Sequence, residues 1–197
     1  MKVAFGMKAH SGWTALVVVG QRDGDFLVVD RRRIELVEDE WAKQPYHAAE
    51  NLQPDAARDV VKRGVEAAHR IAVREMRTAV QREQERGNEV TACAVLVGSP
   101  MPDWSVEEIL AVHFRMHKAE GVLFRDALVR AAKACGLRPA EIPEKLLTKR
   151  AQSALGATVS GLMKKTATLG KSVGPPWGKD QKDAALAALV ALQGCPK

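Results

Sequence analysis

Two aspartates at the start of a predicted apolar helix have a spacing suited to metal chemistry. Asp180 and Asp183 stand three residues apart in the helix predicted over 179–192, so both carboxylates lie on one helix face. Hard cations such as Mg²⁺ prefer oxygen ligands of this kind. The same positions suit an N-cap and a first-turn acid, which stabilise a helix terminus without any ion. We favour this structural interpretation and keep Asp183 and Asp180 as the candidate catalytic residues.

The five histidines give a weaker signal. His113 and His117 stand four residues apart on a predicted helix, a spacing that can hold a transition metal. Neither an HExxH glutamate nor a third ligand is apparent in the sequence, so we interpret the pair as ordinary helix surface. His10 lies in the first predicted turn, where we expect it to contact phosphate. His47 and His69 belong to no recognisable motif.

Positive charge is concentrated late in the chain. The net charge is +6, and residues 145–182 hold eight lysines and arginines against one acid, whereas residues 1–144 hold 21 against 22. The eight are Lys145, Lys149, Arg150, Lys164, Lys165, Lys171, Lys179 and Lys182. Such a segment predicts an anionic partner, and we favour nucleic acid. A solvated loop or a surface for an acidic protein would fit the same charge.

The basic segment also has a distinctive composition. Five glycines and a Pro-Pro pair fall within residues 156–178, which predicts a mobile loop or insertion after a helix at 145–155. We therefore expect a basic, glycine-rich loop at about 145–178. Trp177 follows the prolines and offers a stacking surface for a base of single-stranded nucleic acid.

The elements that position these residues follow from hydrophobic patterning. Apolar runs at 3–7, 13–19 and 26–37 predict three strands, and Asp23-Gly24 is a strong hairpin signal. A helix is predicted from Pro54 to about Gly87, a buried strand over 90–97, a helical region over 104–135 with a break near Gly121, and a strand over 137–142. Three meandering strands followed by alternating helices and strands indicate an α/β fold with a mixed sheet.

Bulk properties place the chain in a broad class. The chain has 197 residues, and 46% of them are hydrophobic. Residues 1–197 can therefore form a single domain with a sizeable core. Cys93 and Cys135 lie in apolar contexts and, with Cys195, form no CxxC pair, which favours reduced thiols. We find neither a signal peptide nor an apolar run long enough to span a bilayer. We expect a cytoplasmic protein without a membrane partner.

The order of the elements resembles the RNase H-like fold, and several segments resemble RuvC-type Holliday-junction resolvases within it. Residues 6–13 resemble the turn between strands one and two of that family, residues 117–143 its helix–strand step, and residues 180–187 the acidic start of its last helix. The resemblance covers most of the chain. It implies an RNase H-like mixed sheet, with three antiparallel meander strands and then alternating helices and strands, flanked by helices.

The resemblance also implies a site. Family members cleave phosphodiesters with two divalent cations held by three or four carboxylates. The family's first-strand aspartate falls at Lys8 or, less well, at Met7, and its fourth-strand glutamate falls near Leu96 or Val97. An ammonium group cannot ligate a cation. Asp183, with Asp180 beside it, is left to match the pattern.

Three functional hypotheses follow. The preferred one is a catalytically degenerate protein that binds nucleic acid, either branched or single-stranded DNA, through residues 145–182, with Lys8 and His10 as further contacts and no cofactor. The second is a nuclease dependent on Mg²⁺ or Mn²⁺, with Asp183 and Asp180 joined by Asp30 or Asp103. The third is a non-enzymatic scaffold or assembly protein, for example a homodimer.

Overall fold

A five-stranded mixed sheet forms the centre of the molecule in the computed structural model, which describes residues 1–194. The strands are β1 (Lys2–His10), β2 (Trp13–Arg22), β3 (Asp25–Glu35), β4 (Glu89–Val97) and β5 (Pro139–Pro143). Their order across the sheet is β3-β2-β1-β4-β5. β1, β2 and β3 pair antiparallel, whereas β4 runs parallel to β1 and β5 parallel to β4. The predicted mixed sheet is confirmed.

Seven helices and two short 3₁₀ turns are described within residues 1–194. The helices are α1 (Pro45–Ala49), α2 (Pro54–Glu85), α3 (Val106–Leu110), α4 (His113–Ala134), α5 (Leu147–Leu155), α6 (Val159–Val173) and α7 (Lys179–Gly194), and the 3₁₀ turns are Glu40–Lys43 and Glu144–Leu146. α2 and α4 pack on one face of the sheet, and α5, α6 and α7 pack on the other. No helix in this part of the chain is long and apolar enough to cross a membrane.

Alternation along β1 decides which side chains meet which helices. Val3, Phe5 and Met7 join the core beneath α2 and α4, and the even-numbered residues face α7, as Ala4 does. Gly6 lies where a Cβ atom would come within 1.9 Å of the carbonyl oxygen of Ala184. The bare glycine therefore lets α7 pack directly on β1.

The predicted loop at 156–178 is wrong over most of its length, because α6 occupies 159–173. Thr158 caps this helix by accepting a hydrogen bond from the backbone N–H of Gly161 at 3.2 Å. Leu162, Thr166 and Leu169 are buried at spacings of four and three. This apolar stripe packs against the sheet face and offsets the cost of glycines within the helix, about 1 kcal/mol each relative to alanine.

The predicted break near Gly121 is also misplaced. α4 runs through Gly121 without interruption, and the break falls at 111–112, where Val112 has extended backbone angles before α4 begins.

The structure describes two of the three cysteines. Cys93 and Cys135 are free, and burial raises the pKa of Cys93 to about 12. Cys195 lies outside the described residues.

Candidate functional site

Lys8 is the centre of a cluster of charges where β1 meets α7. Its side chain points to the α7 side of the sheet, like Ala4 and Gly6, and the residue is only 7% exposed. Its Nζ lies 2.6 Å from Asp183 Oδ2 and 3.3 Å from Asp180 Oδ1. The first turn of α7 therefore delivers both predicted aspartates to a single ammonium group.

A third carboxylate reaches the same ammonium from the next part of the sheet. Glu144 begins the 3₁₀ turn directly after β5, and its Oε2 lies 3.9 Å from Lys8 Nζ. We call Lys8, Asp180, Asp183 and Glu144 the Lys8 cluster. Sequence reasoning missed Glu144, because only the pairing of β5 beside β4 brings it near β1.

Protein cations balance the carboxylates of the Lys8 cluster. Arg125 of α4 donates to Glu144 Oε1 at 2.8 Å, and Lys179 pairs with Asp183 one turn along α7. With Lys8 itself, three cations accompany three carboxylates. Burial lowers the pKa of Lys8, but the hydrogen bond to Asp183 and the charges of Asp183 and Glu144, with a further bond to Asp180, outweigh it and raise the pKa above its ordinary value of 10.5. The ammonium is therefore charged at neutral pH.

These residues do not fit the pair of divalent cations that the fold resemblance implies. Lys8 Nζ stands among the carboxylates where cations would have to bind, and its charge repels them. Leu96, the β4 residue paired with Lys8, is fully buried and supplies no oxygen ligand. We therefore derive no metal-dependent step from this site.

The other acids considered from the sequence lie elsewhere. Asp30 is inside β3 and pairs with Arg32 at 3.0 Å and Arg86 at 3.4 Å. Asp103 is exposed in the loop between β4 and α3. Neither belongs to the Lys8 cluster, so Glu144 takes the place that we had assigned to one of them.

His10, the last residue of β1, lies at the edge of the Lys8 cluster. Its Nε2 is 3.1 Å from Asp180 Oδ2, and its ring stacks on Trp13 with centroids 4.3 Å apart. Arg33 of β3 places its guanidinium 4.1 Å from the centroid of the same indole. The side chain of His10 is 36% exposed, but its Nε2 is buried. The burial of Lys8 favours an internal role over contact with phosphate.

Trp177 holds the connection between α6 and α7. Its Nε1 donates to the carbonyl oxygen of Thr166 at 2.9 Å, and its indole packs so closely on Gly170 that a Cβ atom there would lie 2.2 Å from the ring. Arg31 of β3 donates to the carbonyl oxygens of Val173 and Pro175 at 3.2 and 2.7 Å. This geometry favours a structural role for Trp177 over stacking with a base.

The remaining predicted cations lie in the 3₁₀ turn Glu144–Leu146 and on α5, α6 and α7, and we call them the basic surface. This basic surface consists of Lys145, Lys149, Arg150, Lys164, Lys165, Lys171 and Lys182. All are exposed except Lys165, which is partly covered and lies over the Phe26 ring at 4.6 Å. Among residues 1–194, no carboxylate lies within 4 Å of any of these seven cations. Lys179, by contrast, is paired with Asp183.

Comparison with known proteins identifies the fold. No family model and no curated protein matches the chain. It is similar to the solved structure of T. thermophilus RuvC in complex with a Holliday junction substrate, with a TM-score of 0.54 and 13% identity over 98% of this chain and 94% of that one. A second structure, Thermus thermophilus RuvC, gives a TM-score of 0.49 and 14% identity over 97% and 93%. The chain has an RNase H-like fold, and the likeness to RuvC is confirmed at the level of structure.

Proposed function

We propose that this protein binds nucleic acid through the basic surface and does not cleave it. The observation that carries the proposal is the set of seven cations in the basic surface, for which residues 1–194 provide no carboxylate partner. When such cations neutralise phosphates, the counterions condensed on the nucleic acid are released, and this release favours binding. The T. thermophilus RuvC structure of the same fold contains a Holliday junction, which makes branched DNA the first ligand to test.

Salt dependence tests the binding surface. Each phosphate that the protein neutralises on duplex DNA contributes about 0.9 to the slope of log affinity against log salt concentration. The variant Lys164→Gln/Lys165→Gln/Lys171→Gln should therefore bind a four-way junction more weakly and with a flatter slope, as measured by fluorescence anisotropy. An unchanged slope would rule out this surface.

A matched control removes three cations on the other side of the sheet. Arg58 and Arg74 of α2 pair with Glu107 of α3 and with Glu38 of the loop after β3. Arg130 of α4 pairs with Asp126 of the same helix. Replacing all three by glutamine gives the same change in net charge. This variant should keep the slope of the native protein, since its cations are already neutralised by the chain.

The Lys8 cluster supports the absence of hydrolysis. An ammonium 2.6 and 3.3 Å from the two α7 aspartates opposes the binding of cations that RNase H-like nucleases require. Native protein incubated with branched or single-stranded DNA and Mg²⁺ or Mn²⁺ should leave the DNA intact. No cofactor is needed for binding in this proposal.

One observation favours a metal-dependent nuclease as the second candidate. Asp180, Asp183 and Glu144 converge on one point, as three ligands of a cation would. Cleavage by the native protein that disappears in Asp183→Asn would establish this function and overturn the proposed inactivity. A scaffold role would instead appear in sedimentation experiments as a homodimer or larger assembly that forms without DNA.

A further inference from the structure

Three histidines that are distant in the sequence meet on the α2/α4 side of the sheet. His47 comes from α1, and His113 and His117 come from the first two turns of α4. The ligand nitrogens of the three rings all lie within 4.8 Å of one another. We call these residues the histidine cluster. The i, i+4 pair in α4 thus acquires the third imidazole that the sequence did not reveal.

The spacing within the cluster matches the size of a metal coordination sphere. His113 Nε2 and His117 Nε2 are 3.1 Å apart. Zinc binds imidazole nitrogen at about 2.0–2.1 Å, and a tetrahedral arrangement at that radius separates neighbouring ligand atoms by about 3.3 Å. The two α4 nitrogens therefore already stand near the separation that a shared ion requires.

A buried carboxylate orients the third ring. His47 Nδ1 lies 2.8 Å from both carboxylate oxygens of Glu120, and the backbone N–H of His47 donates to the same side chain at 3.2 Å. Glu120 is only 3% exposed. Because a carboxylate accepts, the proton of His47 is on Nδ1, which leaves the Nε2 lone pair for a ligand. Carboxylate–imidazole pairs of this kind fix metal-binding histidines in many proteins.

The charges around the cluster are also favourable to a cation. Besides Glu120, the carboxylate of Glu50 at the end of α1 lies 3.9 Å from His113 Nδ1. The nearby cations of α4, Arg115 and Lys118, lie over the Trp104 ring at 4.7 and 5.7 Å. Within the described residues, neither Glu120 nor Glu50 is paired with a lysine or an arginine. Both negative charges therefore face the histidine cluster.

We propose that His47, His113 and His117 bind one divalent transition-metal ion of the zinc class, with solvent in the fourth position. Imidazole nitrogens suit zinc, cobalt, nickel and copper, and discriminate against Mg²⁺ and Ca²⁺. His113 and His117 are exposed, so solvent reaches the ion and completes a tetrahedral set. The ion joins α1 to α4 and is independent of the basic surface on the opposite face of the sheet.

Titration of tag-free, full-length protein with Zn²⁺ and Co²⁺ after removal of metal by a chelator tests this site. Calorimetry should give one Zn²⁺ per chain, and Co²⁺ should produce the intense visible absorption of a tetrahedral complex. His113→Ala should weaken binding at least 100-fold. The side chain of His113 is 65% exposed, so this change leaves the packing intact, and circular dichroism can verify the fold.

His69→Ala provides the matched control. His69 is a partly exposed histidine of α2 that faces Asp126 at 3.4 Å and belongs to no cluster of three ligands within residues 1–194. This variant should bind Zn²⁺ and Co²⁺ like the native protein. Absence of stoichiometric binding to native protein would overturn the proposal. So would binding of Zn²⁺ by His113→Ala or His117→Ala as tight as that by native protein.

Discussion

The Lys8 cluster and the histidine cluster are two groups of potential metal ligands with opposite electrostatic solutions. In the first, carboxylates surround an ammonium that the chain itself supplies, and further protein cations balance the charge. In the second, three imidazoles accompany a buried carboxylate, Glu120, which pairs with His47 and with no lysine or arginine of the described residues. The comparison teaches that ligand residues alone do not define a metal site. What decides is whether the protein places its own positive charge among them.

Removing the ammonium should have the largest effect. Lys8→Met leaves three carboxylates together, and loss of one partner of a buried ion pair costs about 3–5 kcal/mol. Because Asp180, Asp183 and Glu144 are 20–36% exposed, we expect a value near the lower limit in urea denaturation. Lys179→Met is the control. Its side chain is 78% exposed, and the loss should stay within about 1 kcal/mol.

The alkaline pH dependence follows from the raised pKa of Lys8. A group whose pKa is higher in the folded state stabilises the fold fully below its unfolded value, here 10.5, and ceases to do so as pH rises through the folded value. The stability difference between native protein and Lys8→Met should therefore be constant from neutral pH to about pH 10 and decrease above pH 10.5. A difference that already decreases between pH 8 and 9 would contradict the raised pKa.

Converting the first cluster into a cation site is the next test. Lys8→Asp places a fourth carboxylate where the ammonium stood, and Mg²⁺ should then stabilise the variant by about 2.7 kcal/mol at 100 times its dissociation constant. Thermal denaturation with and without Mg²⁺ measures this effect. The native protein should show no such shift, and Lys8→Asp combined with Asp183→Asn should show a smaller one. Equal Mg²⁺ stabilisation of native protein would mean that Lys8 does not exclude the ion.

Weakening the support of the histidine cluster should have a smaller effect than removing a ligand. Glu120→Gln retains the shape of the side chain but removes its charge, and loss of such a supporting carboxylate lowers metal affinity about 10–100-fold. Zn²⁺ calorimetry on Glu120→Gln checks this expectation. Glu50→Gln, whose carboxylate is 3.9 Å from His113, should change the affinity less. An unaltered affinity in Glu120→Gln would show that His47 needs no carboxylate to bind.

The smallest expected effect concerns Trp177, in the connection between α6 and α7. Trp177→Phe removes the N–H that bonds to the carbonyl oxygen of Thr166, which should cost about 1 kcal/mol of folding free energy. Binding to single-stranded DNA should not change. Trp177→Leu also removes the aromatic ring and so distinguishes the structural role of Trp177 from base stacking. If the ring stacked on a base, the variant would lose about 1–3 kcal/mol of DNA-binding free energy. A loss of that size in DNA affinity would restore the stacking role predicted from the sequence.

Local patterning predicted most of the sheet and little of the two clusters. The strands at 3–7, 13–19 and 90–97 follow from apolar runs. Because side chains alternate between the two faces of the sheet along β1, Lys8 points to the face that α7 covers. Glu144 and His47 had no local signal, because each becomes a neighbour of its cluster only when separate elements pack. α6 was missed for a different reason. Its glycines and threonines are typical of a loop, and its buried face contains only two leucines, Leu162 and Leu169, which is too few for a clear helical pattern.

A consequence of the contact at Gly6 concerns the charge of the whole cluster. Ala184, whose carbonyl oxygen would clash with a methyl group at position 6, directly follows Asp183 in the chain. Any side chain at position 6 would lift this turn of α7 from β1 and carry the aspartate away from its ammonium. A residue that bears no charge therefore determines how tightly this salt-bridge network can close.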